Sequence, residues 1–302
     1  MQTAVENMEP QVRPARCRVR RAAAFCLLPL VRRASRAYIA GDTLDDALRV
    51  ADQLASTGTA STLGFWNADE DPTRHVTDVY LAAIRSLAAR PGAYLSIKAP
   101  AIGFSPELTD EIAQQAKHQD VRLHFDAMAP DTVDSTRVLI ERFLAAGVKV
   151  GTTLPGRWRR SPDDALWVAE RGIPVRVVKG QWIDPSAPTL DLRTGFLEVI
   201  NRLAGRASRV SVATHDVVLA EKAIHRLRIA GTACDLELLH GLPMKESLRL
   251  AARLSVDVRV YVPYGKAYLP YALSRMSTNP RLLWWLIRDA LAWKSPVAAI
   301  AK

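Results

Sequence analysis

The sequence predicts an α/β chain folded as a (βα)8 barrel, and three observations lead to that fold class. Short β-rich segments recur eight times, at intervals of about 23 to 35 residues, which is the length of one strand, one helix and two loops. The segments between them show the 3.6-residue apolar period of helices. Several strands are apolar with little alternation, as expected where both faces of a parallel sheet are buried. A doubly wound sheet is the alternative, but its glycine-rich turn after the first strand is missing, since Phe65 and Trp66 follow Gly64.

The β-rich pattern covers residues 61–64, 93–98, 121–126, 148–154, 175–179, 210–214, 234–239 and 256–263. Helical patterns lie before and between them at residues 44–56, 77–89, 106–118, 132–146, 162–171, 217–230 and 245–254. A last helical segment, residues 280–293, is predicted to close the barrel. We expect residues 1–36 to be a basic tail with the start of an N-terminal helical extension, and residues 37–302 to form a single barrel domain.

The charge of the chain is concentrated at its N-terminal end. The formal net charge is +10, and the first 37 residues hold eight arginines against two glutamates. The folded body is therefore only mildly basic, and we expect no nucleic-acid partner. No apolar run approaches the roughly 18 residues of a membrane-spanning helix. We expect a cytoplasmic protein whose basic segment can rest on the anionic inner face of a membrane. A secretory signal and a mitochondrial transit peptide remain open alternatives for residues 1–36.

The cysteines and histidines indicate neither disulfides nor a metal centre. Cys17, Cys26 and Cys234 are widely spaced and odd in number, which argues against a disulfide framework and for a reducing compartment. The six histidines show no metal-ligand spacing. We therefore expect no metal site.

Charged or titratable side chains end nearly every predicted strand, where a barrel enzyme places its catalytic groups. These residues are Lys98, Asp126, Arg157, Arg176, Lys179, Thr214, His215, His240 and Tyr261. A buried cation such as Arg176 needs an acceptor. A bound ligand with acceptor atoms would supply one. A structural ion pair with Asp126 is the alternative. Lys98 and Asp126, on adjacent strands, are likewise expected to form a neutral pair.

Three runs at strand ends, taken together, resemble the proline dehydrogenase family, in its FAD-dependent, monofunctional bacterial form. They are Arg176-Val-Val-Lys-Gly180, Ala213-Thr-His-Asp216 and the segment from Tyr261 to Pro280. The resemblance extends from about residue 37 to residue 293 and places the runs in the family's order. It implies oxidation of proline to pyrroline-5-carboxylate, FAD as cofactor, a quinone-type electron acceptor and a small cyclic substrate.

The resemblance also implies roles for individual residues. Catalytic roles fall on Asp126 and on Arg176, which would contact flavin N5. FAD would be bound by Phe125, Arg176, Val178, Lys179, Trp182, Thr214 and His215. Substrate would be bound by Lys98, Leu239, Tyr261, Tyr271, Ser274 and Arg275.

The sequence departs from the family pattern in residues 155–161 and 180–186, and most consequentially after Tyr271. Ser274 and Thr278 stand where the family has a glutamate, at the Thr278 position, and one of the two arginines that bind the substrate carboxylate, at the Ser274 position. Losing one charge-assisted bond costs about 1.5–3 kcal/mol. Three functions therefore stay open: oxidation of proline, the same chemistry on another cyclic amino acid or amine such as hydroxyproline, and a flavin-binding barrel without turnover. The electron acceptor and the oligomeric state also stay open.

Overall fold

A computed structural model of the protein describes residues 40–266, and in this range the chain forms a closed barrel. All eight strands are parallel and follow one another in sequence order, with β1 paired to both β2 and β8. The predicted (βα)8 fold is confirmed. The strands are β1 Ala60–Phe65, β2 Tyr94–Ile97, β3 Leu123–Phe125, β4 Val150–Pro155, β5 Val175–Val178, β6 Val210–Ala213, β7 Cys234–Leu239 and β8 Val258–Tyr264.

One α-helix precedes β1, and one lies between each pair of successive strands. In chain order they are Leu44–Ala55, Thr73–Leu87, Pro106–His118, Val133–Ala145, Ser161–Glu170, Leu192–Leu203, Val217–Ile229 and Lys245–Leu254. Short 3₁₀ helices at Ala99–Ile102 and Pro130–Thr132 follow β2 and β3. The helix Leu192–Leu203 is not among the helices that the sequence pattern predicts, although Asp191 caps it by accepting from the Thr194 amide at 2.8 Å.

The first described helix shows how local sequence fixes an element. Thr43 and Asp46 form a reciprocal capping box, which satisfies amides that the first turn leaves without partners. Ala47, Ala51 and Leu54 are buried at a spacing that puts them on one helical face. That face packs on the barrel. The capping box therefore determines where this helix begins, and the apolar face determines how it is oriented.

The barrel separates an apolar outer layer from a polar interior. Val177, Val212 and Val260 are fully buried in the core cluster that also contains the buried helix residues. Inside the barrel, the Tyr94 ring stacks on His124 with centroids 5.6 Å apart. The Arg259 guanidinium lies 4.3 Å from the Tyr94 ring. These side chains fill the N-terminal half of the interior and leave its C-terminal half to the polar groups described below.

Several sequence predictions concern residues outside the described range. They are the basic tail, the closing helix at 280–293, and the ends of the domain placed at 37–302. Across residues 40–266, no helix has the length and apolar character needed to cross a bilayer.

Candidate active site at the C-terminal end of the barrel

A buried arginine is the centre of the polar interior. Arg176, on β5, is 3% exposed. Its Nε and Nη2 donate to the two Glu237 carboxylate oxygens at 2.7 and 2.9 Å, and its Nη1 donates to Asp126 Oδ1 at 2.7 Å. The guanidinium also lies 5.0 Å from the Tyr261 ring. Burial opposes the charge, but Glu237 and Asp126 outweigh it and hold the pKa of Arg176 well above its ordinary value.

Glu237 is the central residue that sequence reasoning missed. It lies on β7, is 2% exposed, and accepts from Thr62 Oγ1 at 2.9 Å in addition to Arg176. Asp235 and Glu237 stand two apart on one strand, so both point to the same side of the sheet. The side of a barrel strand that faces the helices is apolar, so acidic residues at alternate positions of one strand are expected to face inward. The two-residue spacing of Asp235 and Glu237 was the sequence signal that could have predicted this.

Asp126 lies at the end of β3 and joins the same network. Its Oδ1 accepts from Ser96 Oγ at 2.6 Å, and its Oδ2 accepts from the Tyr261 hydroxyl at 2.9 Å. A Cβ on Gly64 would lie 2.0 Å from that hydroxyl, so the glycine makes room for the Tyr261 ring to reach Asp126. Asp126, Arg176 and Tyr261, all assigned to the site from the sequence, are therefore brought together.

Lys98, predicted to pair with Asp126, has other partners. Its Nζ donates to the Phe65 carbonyl at 2.8 Å and to Asn67 Oδ1 at 3.4 Å, and it lies 5.0 Å from the Trp66 ring centroid. The expectation of a Lys98–Asp126 ion pair is wrong, because Asp126 pairs with Arg176, two strands away on β5. Burial lowers the pKa of Lys98 to about 8, with the charge of Asp126 acting in the opposite direction.

A second cationic group lies where β5 and β6 end. Lys179 Nζ donates to Asp216 Oδ2 at 3.0 Å, and Arg193 Nε donates to the same oxygen at 2.8 Å. The other Asp216 oxygen accepts from the Leu219 amide and caps the helix Val217–Ile229. Two cations thus share one carboxylate beside a helix N-terminus, an arrangement suited to an anionic ligand group.

His215 and Thr214 bond to protein groups. The Leu239 amide donates to His215 Nε2 at 2.9 Å, and His215 Nδ1 lies 3.2 Å from the Pro243 carbonyl. Nε2 must therefore accept while Nδ1–H donates, and burial lowers the pKa of His215 to about 4. Thr214 Oγ1 accepts from the Asp216 amide. Since both ring nitrogens have partners, His215 connects β6 to the loop after β7, and any ligand contact would have to use its ring face or backbone.

The other predicted cofactor and substrate residues take different places. The Phe125 ring is fully buried and packs edge-on against Phe143, with centroids 5.4 Å apart, on the helix side of β3. Val178 and Leu239 are half-buried at the ends of β5 and β7. Trp182 is 43% exposed. Tyr271, Ser274 and Arg275 lie outside the described residues.

The two segments that depart from the family pattern interlock with each other. Trp158 Nε1 donates to the Trp182 carbonyl at 2.9 Å, and Arg157 Nη1 donates to the Gln181 carbonyl at 2.7 Å. Asp184 Oδ2 accepts from the Arg159 amide at 2.9 Å. The altered exit of β4 thus holds the altered loop after β5.

Gly180 is required where these two segments meet. Its φ is +94°, and an added Cβ would lie 2.8 Å from Pro155 and 2.9 Å from Arg157. Both the backbone conformation and the available space favour glycine at this position. The glycine that ends the Arg176-Val-Val-Lys-Gly180 run therefore has a structural reason of its own.

The rim can be compared with the chemistry of an FAD, which has hydrogen-bonding atoms on its ring and an anionic diphosphate. Arg176 lies in the interior, while Lys179, Arg193 and a helix N-terminus lie where β5 and β6 end. Just past β7, His240 Nδ1 is buried with no hydrogen-bond partner among residues 40–266. This donor set and the orphaned nitrogen fit a flavin cofactor.

The fold and the site together define a (βα)8 barrel with a buried, ion-paired arginine at its catalytic end. Among curated proteins, the chain is 25% identical over 265 residues to proline dehydrogenase 1 of Bacillus subtilis subsp. natto, covering 82% of this chain and 87% of that one. It is 24% identical over 278 residues to proline dehydrogenase of Deinococcus radiodurans, covering 84% and 89%. The resemblance that the motifs predict is confirmed.

Solved structures support the fold. Proline utilization A of Bdellovibrio bacteriovorus, inactivated by N-propargylglycine, has a TM-score of 0.67 at 16% identity over 85% of this chain. Proline utilization A of Bradyrhizobium japonicum, in a mutant form, has a TM-score of 0.62 at 19% identity over 89% of this chain. The chain spans about a third of those longer proteins, 32% and 33%. No family model matches the chain.

Proposed function

We propose that this protein is a flavin-dependent oxidoreductase that oxidises L-proline to pyrroline-5-carboxylate and passes the electrons to a quinone-type acceptor. The observation that carries the proposal is the group Arg176, Asp126, Tyr261 and Lys98 at the catalytic end of a barrel whose curated relatives are named proline dehydrogenase. No residue of the group alone would suffice, since a buried ion pair is also a common structural element.

Residues at the ends of β5 and β6 would hold FAD, which when bound would supply a two-electron acceptor for the substrate carbon beside the ring nitrogen. Lys179 and Arg193 would hold its diphosphate. Arg176 would place positive charge beside the flavin ring, where it favours the reduced state. The bonds to Glu237 and Asp126 restrict the movement of the guanidinium, so little reorganisation is needed during the reaction.

Lys98 would bind the substrate carboxylate. Its Nζ has one short bond, to a carbonyl, so donors remain for a ligand. The Trp66 ring, 5.0 Å from Lys98 Nζ, would provide an apolar wall for a saturated ring. Lys98 then orients the substrate while the interior of the barrel excludes water from one side. Arg275, beyond the described residues, is the second cation that the sequence offers.

The direct experiment is anaerobic reduction of the purified protein. We expect the protein to be yellow and to lose its flavin absorbance near 450 nm on addition of L-proline. Hydroxyproline, pipecolate and simple cyclic amines should be tested in parallel, because Ser274 and Thr278 leave the choice of substrate open. Bleaching by one of these but not by proline would reassign the substrate, and bleaching by none would favour a binding protein.

Arg176→Met should lower the rate of flavin reduction at least tenfold or reduce flavin content. Arg122→Met is the matched control, because Arg122 immediately precedes β3 at the opposite end of the barrel, 5.9 Å from the Tyr94 ring. Normal flavin content and normal reduction kinetics in Arg176→Met would refute the assignment. Supplying a soluble quinone to the reduced enzyme then tests the acceptor, since reoxidation should depend on quinone concentration.

A further inference from the structure

We propose that Glu237 is a positioning residue: it sets the orientation of the Arg176 guanidinium and limits the positive charge presented to the bound flavin. The inference rests on the proposed function for its chemical meaning. Its geometric part concerns Glu237 and Arg176 alone and can be tested without flavin.

The contacts of Arg176 show why Glu237 controls orientation. Glu237 accepts from Nε and Nη2 side by side, and Asp126 accepts from Nη1. The second Nη1 proton faces Ser96 Oγ and Thr153 Oγ1, at longer distances of 3.3 and 3.5 Å. One Nη2–H is left without an acceptor among residues 40–266. Because a guanidinium is planar, the two-point contact with Glu237 fixes the direction of that remaining N–H.

Glu237 is itself held by a side chain two strands away in the closed sheet. Thr62 Oγ1, on β1, donates to its Oε1 at 2.9 Å, while β8 lies between β1 and β7. The carboxylate is 2% exposed, so water does not compete for it. Because Thr62 and Arg176 both donate to the Glu237 carboxylate, its orientation is fixed. The fixed carboxylate in turn fixes the orientation of the Arg176 guanidinium.

The charges explain the second part of the proposal. Arg176 forms ion pairs with two carboxylates, Glu237 and Asp126, so its own positive charge is more than offset by its direct partners. Lys98, whose charge also acts on Asp126, restores the balance. Removing the charge of Glu237 would leave one net positive charge there. That change should favour a reduced, anionic flavin over an oxidised, neutral one.

Glu237→Gln is the decisive variant. It should shift the reduction equilibrium of the bound flavin at least tenfold toward the reduced form, a rise in midpoint potential of about 30 mV for a two-electron couple. Titration with a chemical reductant measures this without any turnover of proline. Asp235→Asn is the matched control, because Asp235 is on the same strand, is also buried, at 4% exposure against 2% for Glu237, and contacts Ser211 and Arg209 instead of Arg176. Its potential should stay at the wild-type value.

Orientation is tested by the Nε–H resonance of Arg176 in nitrogen-15 spectra, identified by its loss in Arg176→Met. In wild type and Asp235→Asn, the resonance should exchange slowly with solvent. In Glu237→Gln it should move and exchange at least tenfold faster. Glu237→Asp keeps the charge with a shorter reach, so the resonance should move while the potential stays near that of wild type. If Glu237→Gln does not fold, the Nε–H resonance of Arg176 in Glu237→Asp decides whether Glu237 orients the guanidinium.

The outcomes separate this proposal from the proposed function. An unchanged potential in folded Glu237→Gln overturns the charge role, and an unchanged Nε–H resonance in Glu237→Asp overturns the orienting role. Wild-type protein that holds flavin but is not bleached by proline contradicts the proposed function only. Wild-type protein that holds no flavin also contradicts the proposed function. The resonance experiment still tests in that case whether Glu237 orients the Arg176 guanidinium.

Discussion

The charge of Lys98 should control carboxylate binding, and its perturbed pKa makes the effect visible in an accessible pH range. Burial lowers the pKa of Lys98 to about 8, while Asp126 opposes the shift. Lys98 is therefore charged below that pH and neutral above it. We expect affinity for a substrate carboxylate to be constant at lower pH and to fall as pH rises through 8.

The size of the effect follows from what Lys98 would contribute. A hydrogen bond to a charged group contributes about 1.5–3 kcal/mol. That range corresponds to roughly a tenfold to hundredfold loss of affinity once the lysine is neutral. The dissociation constant should rise by up to tenfold per pH unit above 8 and then level off.

The assay uses the oxygen analogue of proline, tetrahydrofuran-2-carboxylate, as a ligand. This molecule has no ring nitrogen to titrate, so any change in binding with pH reports on the protein. Its binding is followed by perturbation of the flavin spectrum between pH 6 and 10. Lys98→Arg keeps its charge throughout this range and should abolish the pH dependence, even if binding is weaker. Lys98→Met should bind weakly at every pH.

A second measurement checks the sign independently of ligands. The folded pKa of Lys98 lies below the ordinary value of 10.5, so the unfolded chain binds more protons between the two values. The free energy of unfolding of wild type, relative to Lys98→Met, should therefore rise with pH across that window. Wild-type binding that stays flat to pH 9, or an identical decline in Lys98→Arg, would refute the assignment of Lys98.

Three further predictions follow from single or paired substitutions. Asp216→Asn removes the negative charge that Lys179 shares with a second cation, so the lysine should bind the flavin more strongly and flavin retention should rise several-fold. Retention is measured as flavin dissociation during dialysis against a chaotropic salt, and weaker retention would contradict this prediction. Asp184→Ala loses three hydrogen bonds around the β5 loop and should lower the free energy of unfolding by about 2 kcal/mol, as measured by urea denaturation, with an unchanged midpoint as the contrary result. Ser274→Arg combined with Thr278→Glu should improve proline turnover more than either change alone, and a double-mutant cycle showing no coupling would argue against that reading of the sequence.

Local signals explain why most of the barrel was predictable. Strand and helix patterns depend on apolar spacing over a few residues, and all eight predicted strands are present in the structure. The positions of Asp126 and Arg176 near the catalytic end followed from the barrel alone. Apolar periodicity does not predict helix Leu192–Leu203, because a long irregular segment separates it from β5 and only its Asp191 cap marks where it begins.

Partners inside the barrel could not be predicted in the same way. Lys98 and Asp126 are on neighbouring strands, yet Asp126 bonds to Arg176 and Tyr261 instead. Phe125, one residue before Asp126, points to the helix layer and packs on Phe143. Strand tilt and stagger determine which side chains meet across a closed barrel, and residue spacing along one strand predicts neither of them.

The sequence by itself therefore determined the fold class, the end of the barrel that carries the polar groups, and the identity of most of those groups. These properties depend on apolar periodicity, on breaks at glycine and proline, and on residue chemistry, all of which are local. Tertiary structure alone revealed Glu237 as the partner of Arg176, and Gly64 as the space that admits the Tyr261 hydroxyl. Both depend on contacts between strands distant in the chain, because closing the sheet brings together side chains that no short-range pattern relates.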